Sequence, residues 1–247
     1  NLSYCDADLS NNTFEHADVH VSHSPDLSGI DLSGDAANTF TGTPARRTLT
    51  TFKSMVPAGT TWEIAAPSLA ALLTYTDNTV AGTMALAPGT VVKSFDTGVT
   101  VAAGGVLTAV GTGEAPVVFT DWRDDTVGGD TNGDGNDSTP ENGSADAILL
   151  GQSEGSWQQT SQQVTLTHVN MRYVNPVTSY NYDNRSSKLA QVRITDSRFV
   201  AQDDVPGDPH ASITCQDATV TGSTFTGVAL NLSYCDADLS NNTFEHA

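Results

Sequence analysis

Four stretches of this chain share one spacing. VRITDSRF at 192–199, ATVTGSTF at 218–225, and ADLSNNTF at both 237–244 and 7–14 read apolar, any, apolar, four polar or small residues, then Phe. VTLTHVNM at 164–171 follows the same plan with Met171 in the Phe place. Alternation puts the first two apolar side chains on one face of a strand, and the polar stretch makes a turn that returns Phe to the interior. The pattern predicts two core columns, Leu166, Ile194, Val220 and Leu239 in one, Met171, Phe199, Phe225 and Phe244 in the other. Successive members of the second column lie 28, 26 and 19 residues apart, which suits one coil of a parallel β-solenoid with loops of unequal length. A hairpin sheet would need a turn every ~8 to 12 residues.

The middle of the chain agrees. Short alternating runs, Met84 with Leu86, Val99 with Val101, then Leu107, Val117 and Phe119, are broken by Pro-Gly and Gly-Gly, giving strand and turn without helix. Only SLAALLT at 68–74 has helical character, and seven uncapped residues make a marginal helix, so a strand is expected there too. The fold class is therefore all-β, a parallel β-helix.

The order TWEI, APGTVVKSF, GGVLTAVGTGEAPVVFTDWRDDTVGGDTNGDG, then rungs ending in STF and NTF, resembles the right-handed parallel β-helix repeat proteins of secreted and cell-surface microbial origin. The likeness covers roughly 60–247 and, wrapped around, 1–40, and is most specific over 92–135. The chain departs from the family at GSADA, 143–147, where a Gly-Asp-Trp-Gly-like element is expected. The resemblance implies a right-handed solenoid at the cell surface or outside the cell. In the family pattern APGTVV begins a unit and NTF rungs end it, so 1–42 reads as the end of a preceding module. Residues 43–60 then read as a connection, and 61–247 as a module with an Asp-rich loop at 121–145.

NLSYCDADLSNNTFEHA stands at both 1–17 and 231–247. Seventeen identities cannot survive drift between ancient repeats. A tandem array of near-identical modules, an engineered junction, and a filament whose ends overlap or exchange a rung each account for it. A solenoid end exposes unpaired backbone and core, and neither copy offers an amphipathic helix as a lid, so another copy of the chain is the expected partner.

DTNGDGNDSTPE at 130–141 matches the calcium-loop pattern D-x-[DN]-x-[DN]-G-x5-E. Calcium takes six to eight oxygens, and Asp130, Asn132, Asp134, the Asn136 carbonyl and Glu141 can supply them, with Asp124 and Asp125 as further ligands. The flanking segments FTDW and AILL are strand-like, so the expectation is a calcium-ordered loop on a solenoid, against an Asn, Asp and Gly-rich turn holding no metal. Cys215 and Cys235 lie about one coil apart, close enough for a disulfide if their side chains face each other, or else two buried thiols. Cys5 repeats Cys235. His16, His20 and His23 cluster in sequence, but His20 and His23 point to opposite faces of an ideal strand and are not expected to share a metal.

A net charge of −19 repels nucleic acid and anionic membranes, and no run of eighteen apolar residues exists for direct membrane insertion. Glycosylation sequons such as those at Asn142, Asn184 and Asn231 decide little. No nucleophile motif is present. Asp183, Arg185, Lys188, Arg193, Asp196, Arg198, Asp203 and Asp204 are the one region mixing both signs, as a polysaccharide lyase or glycosidase would. The expected function is a structural repeat module of an extracellular fibre, filament or stalk, without enzyme activity. A carbohydrate-active or glycan-binding β-helix is the alternative, with Trp157, Tyr173, Tyr180 and Tyr182 as its sugar platform.

Overall fold

The computed structural model describes residues 1–151, 161–179 and 190–246. Three parallel sheets form the walls of a β-helix. The first wall has ten strands, from Leu2–Ser3, Val19–Ser22, Thr48–Phe52 and Ala71–Thr74 up to Arg198–Val200, Thr224–Thr226 and Thr243–Glu245. The second has seven, Thr61–Ile64 through Gln191–Thr195 and Asp217–Thr221 to Asp236–Ser240. The third also has seven, Met55–Val56 through His210–Thr214 to Ala229–Ser233. From Met55 onward the chain visits third, second and first walls in turn, so each circuit adds one strand to each.

Apolar positions in register produce the core. On the second wall Leu86, Ala109, Leu166, Ile194, Val220 and Leu239 are successive partners. On the first, Val92, Phe119, Met171, Phe199, Phe225 and Phe244 follow one another. Both expected columns are present. Phe199 and Phe225 stack at 4.6 Å, Phe225 and Phe244 at 4.9 Å. Every member is fully buried except on the outermost coil, where Leu239 and Phe244 are each 49% exposed. Residues 71–74 are a buried strand, not a helix.

Polar ladders fix the corners. The Val169 N–H donates to Ser197 Oγ, Ser197 N–H to Ser223 Oγ, and Ser223 N–H to Asn242 Oδ1. Lower down, Ser24 N–H donates to Ser54 Oγ and Ser54 N–H to Asn78 Oδ1. Buried backbone donors at the turns are thereby satisfied one coil at a time.

The lower end differs from expectation in two ways. Residues 43–60 are not a bare connection: Thr48–Phe52 pairs with Val19–Ser22 on one side and Ala71–Thr74 on the other. The first wall runs through this segment because its apolar residues, Leu49 above all, fill the same column. Phe14 and Phe40 stack at 5.2 Å in a separate two-stranded sheet, Thr13–Glu15 with Thr39–Thr41, and the column below Leu72 is filled by Leu49 and Val19 instead. The two copies of the seventeen residues consequently lie on different walls. Leu2–Ser3 belongs to the ten-stranded wall, whereas Leu232 and Ser233 belong to the third.

A row of rings follows one corner outside the core. Tyr4 stacks on His23 at 4.3 Å, His23 meets Phe52 edge-on at 5.4 Å, Tyr75 stacks on Phe95 at 5.0 Å, and Phe95 meets Trp122 at 5.4 Å.

Candidate metal centre

The Asp-rich loop leaves the first wall after Val117–Asp121 and returns at Asp146–Leu150 on the third. It folds back over the outer surface of the ten-stranded wall. A Cβ on Gly128 would meet the Ala70 carbonyl oxygen at 2.7 Å, and one on Gly129 would meet Pro44 Cγ at 2.7 Å. With φ of +68° and +78°, both positions also favour glycine for backbone reasons. The loop thus straps three coils together.

Two of its acids are consumed by arginine. Asp121 is buried and accepts from Arg123 Nε at 2.9 Å and Nη2 at 2.8 Å, a two-point pairing. Asp124, also buried, accepts from Thr120 Oγ1 at 2.6 Å and Arg172 Nε at 2.8 Å, while its other oxygen takes the Thr126 N–H and hydroxyl. Neither carboxylate is directed at a metal. Glu141, expected to close the site, is 62% exposed and pairs with Arg123 at 3.3 Å. Asn136 is exposed at the loop tip.

The remaining acids converge. Asp125, Asp130 and Asp134 each place a carboxylate oxygen within 4.8 Å of the others, an arrangement that could hold a metal ion. Asp130 shapes the turn by accepting the Gly133 N–H at 2.7 Å and the Gly135 N–H at 3.1 Å. Asn132 Nδ2 donates to Asp134 Oδ2 at 2.9 Å, and Ser138 Oγ donates to the same oxygen. Asp125 Oδ1, Asn132 Oδ1 and Asp134 Oδ1 are buried and have no hydrogen-bond partner. Three orphaned acceptors in one loop are costly without a cation or a proton. Asp125 is accordingly held above the usual carboxylate range, by burial first and then by the charges of Asp130 and Asp134, with Lys93 opposing.

Lys93 is the residue that sequence reasoning passed over. It lies on Val91–Ser94, its side chain facing out of the wall and wholly covered by the loop. Nζ donates to the Gly129 carbonyl at 2.9 Å and Thr131 Oγ1 at 2.7 Å. Burial lowers its pKa to about 8, although Asp124, Asp125 and Asp130 pull the other way. A lysine among the apolar residues of VVKSF, in a chain with ten basic residues, was the available signal.

Cys215 and Cys235 form a disulfide, with Cα atoms 4.9 Å apart on adjacent coils, and Cys5 is free. His20 pairs with Asp18, while His23 lies between Tyr4 and Phe52. Asn142 is buried and bonded to Gln202 and Val205, closed to glycosylation in the fold. Arg193 and Arg198 are exposed outward rung positions. Asp183, Arg185, Lys188, Trp157, Tyr180 and Tyr182 lie outside the described residues.

Comparison with protein families, with curated proteins and with solved structures finds no match to this chain.

Proposed function

We propose that the chain is a structural module of an extracellular fibre, filament or stalk that joins end to end through its β-helix. The reading carries with it the resemblance to secreted and cell-surface repeat proteins, and the observation that supports it is the outermost coil. Leu239 and Phe244 are half exposed there, in columns whose other members are buried. Apolar columns and strand edges of this kind offer a seat on which a further coil can pack.

Calcium bound by Asp125, Asp130, Asn132 and Asp134 would stiffen the module by pinning the strap across its coils. The donor set is all oxygen, which suits a hard cation, and the three orphaned acceptors are the groups that such an ion would satisfy. Water and backbone carbonyls would complete the shell. A glycan-binding role is the second reading: of its expected platform only Tyr173 lies among the described residues, and Arg172 stands 5.9 Å from the centre of its ring.

Electron microscopy and light scattering across a concentration series test the reading, alongside a polysaccharide panel. Rods that lengthen with concentration support it. Monomers that cleave or bind a glycan overturn it.

A further inference from the structure

The two copies of the seventeen residues share their left-handed turn positions. Tyr4, Asn11 and His16 have φ of 54°, 56° and 51°, and their counterparts Tyr234, Asn241 and His246 have 60°, 56° and 54°. They differ in which side is covered. Beneath the 231–247 copy stand Ile213 against Leu232, Val220 against Leu239 and Phe225 against Phe244. Above the 1–17 copy stand Val21 against Leu2, Ile30 against Leu9 and Phe40 against Phe14. The corner ladder behaves likewise. Asn242 Oδ1 accepts from Ser223 below, and the Asn12 N–H donates to Asn38 Oδ1 above.

Taken together, the copies show the same rung sequence accepting a neighbour on either side, residues 213–225 beneath one copy and residues 21–40 above the other. From this we infer that two copies of the chain join by exchange. The 231–247 coil of one takes the seat on residues 19–41 that the 1–17 coil of the other fills. The inference rests on the end-to-end reading and specifies its interface.

Charge separates exchange from the simpler alternative, in which one copy's outer coil piles onto the other's 1–17 coil. Piling would set Asp6 over Asp236, Asp8 over Asp238 and Glu15 over Glu245, like charges about 4.8 Å apart and mutually destabilising. Within the chain only Asp217 beneath Asp236 shows such a pairing in this coil. Exchange adds none at Glu245, which then lies between Thr226 and Thr41. The seated 1–17 coil competes with an incoming one at an effective concentration on the order of millimolar, since a short tether holds it. It acts as a removable cap.

Ser3 Oγ and Ser22 Oγ are 2.7 Å apart, so position 233 of an incoming coil would reach Ser22. The test uses the full chain with Cys5→Ser, and a loosened form adding Leu9→Asp and Phe14→Asp, which leave 231–247 intact. Each carries either Ser22→Cys with Ser233→Cys or Ser3→Cys with Ser233→Cys. Exchange predicts that loosening increases end-to-end assembly at least tenfold by light scattering, with a disulfide ladder from the Ser22 pair on non-reducing gels. If the loosened chain unfolds, the unloosened Ser22 pair above millimolar concentration gives the same ladder. A ladder from the Ser3 pair in the unloosened chain, with assembly reduced by loosening, overturns exchange and leaves the end-to-end reading standing. Monodisperse monomers throughout overturn both.

Discussion

Phe225 and Phe244 occupy neighbouring floors of the same column, and truncating each separates core burial from edge burial. Phe225 is fully buried between two rings, 4.6 Å from Phe199 and 4.9 Å from Phe244. Removing ~200 Å² of buried aromatic surface at ~25 cal/mol/Å² costs up to about 5 kcal/mol, within the ~3 to 5 kcal/mol usual for Phe→Ala. Phe244 is 49% exposed and stacks on one ring only, so about half the area and one of two ring contacts are at stake, roughly 2 kcal/mol. Urea unfolding of dilute Phe225→Ala and Phe244→Ala, followed by far-UV circular dichroism, should give costs of about 4 and about 2 kcal/mol. In concentrated, assembled protein the second should rise toward the first. Equal costs in dilute monomer, or a Phe225→Ala cost below about 2 kcal/mol, would refute the column as the source of stability.

Calcium at about a hundredfold its dissociation constant should add about 2.7 kcal/mol of stability, read as a higher Tm than in chelator. Asp134→Ala should abolish that gain while Glu141→Ala leaves it, because Glu141 faces Arg123 rather than the acid cluster. In chelator, Lys93 releases its proton near pH 8 when folded against 10.5 when unfolded. Between these values the unfolded chain binds more protons, so stability should rise with pH by about 3 kcal/mol, and Lys93→Met should flatten the rise. Asp125 acts in the opposite sense. Its raised pKa makes the metal-free fold lose stability as pH climbs from about 3.8 through the folded value, and calcium should erase that loss in melting curves. Reducing the Cys215–Cys235 bridge, which spans 20 residues, should cost about 3 kcal/mol in denaturant titrations.

The upper coils were legible because their apolar spacing is short-range: Ile194, Val220 and Leu239 announce one column and Phe199, Phe225 and Phe244 the other. The lower coils were not, because TLTTF at 48–52 lacks the rung signature. Its place between Val19–Ser22 and Ala71–Thr74 is decided by partners distant in sequence. The loop was half legible. Its motif identified Asp130, Asn132 and Asp134. The motif could not reveal that Arg123 draws Glu141 and Asp121 away or that Arg172 takes Asp124. Those pairings depend on which coils stack, as does the covering of Lys93.

The hydroxyl and amide ladder at the corners has a consequence for how such a chain can change. Phe119 neighbours Met171 just as Phe225 neighbours Phe244, although the stretches of chain between them are very unequal. From Val169 to Asn242 the corner is clamped by a side chain from the adjoining storey, and between Phe119 and Met171 by the backbone bond from Val117 N–H to the His168 carbonyl, so alignment is set locally and segments bulging outward do not disturb it. A polypeptide built this way can acquire or shed long excursions on any storey, and with them new surface chemistry, while its shaft keeps the same pitch.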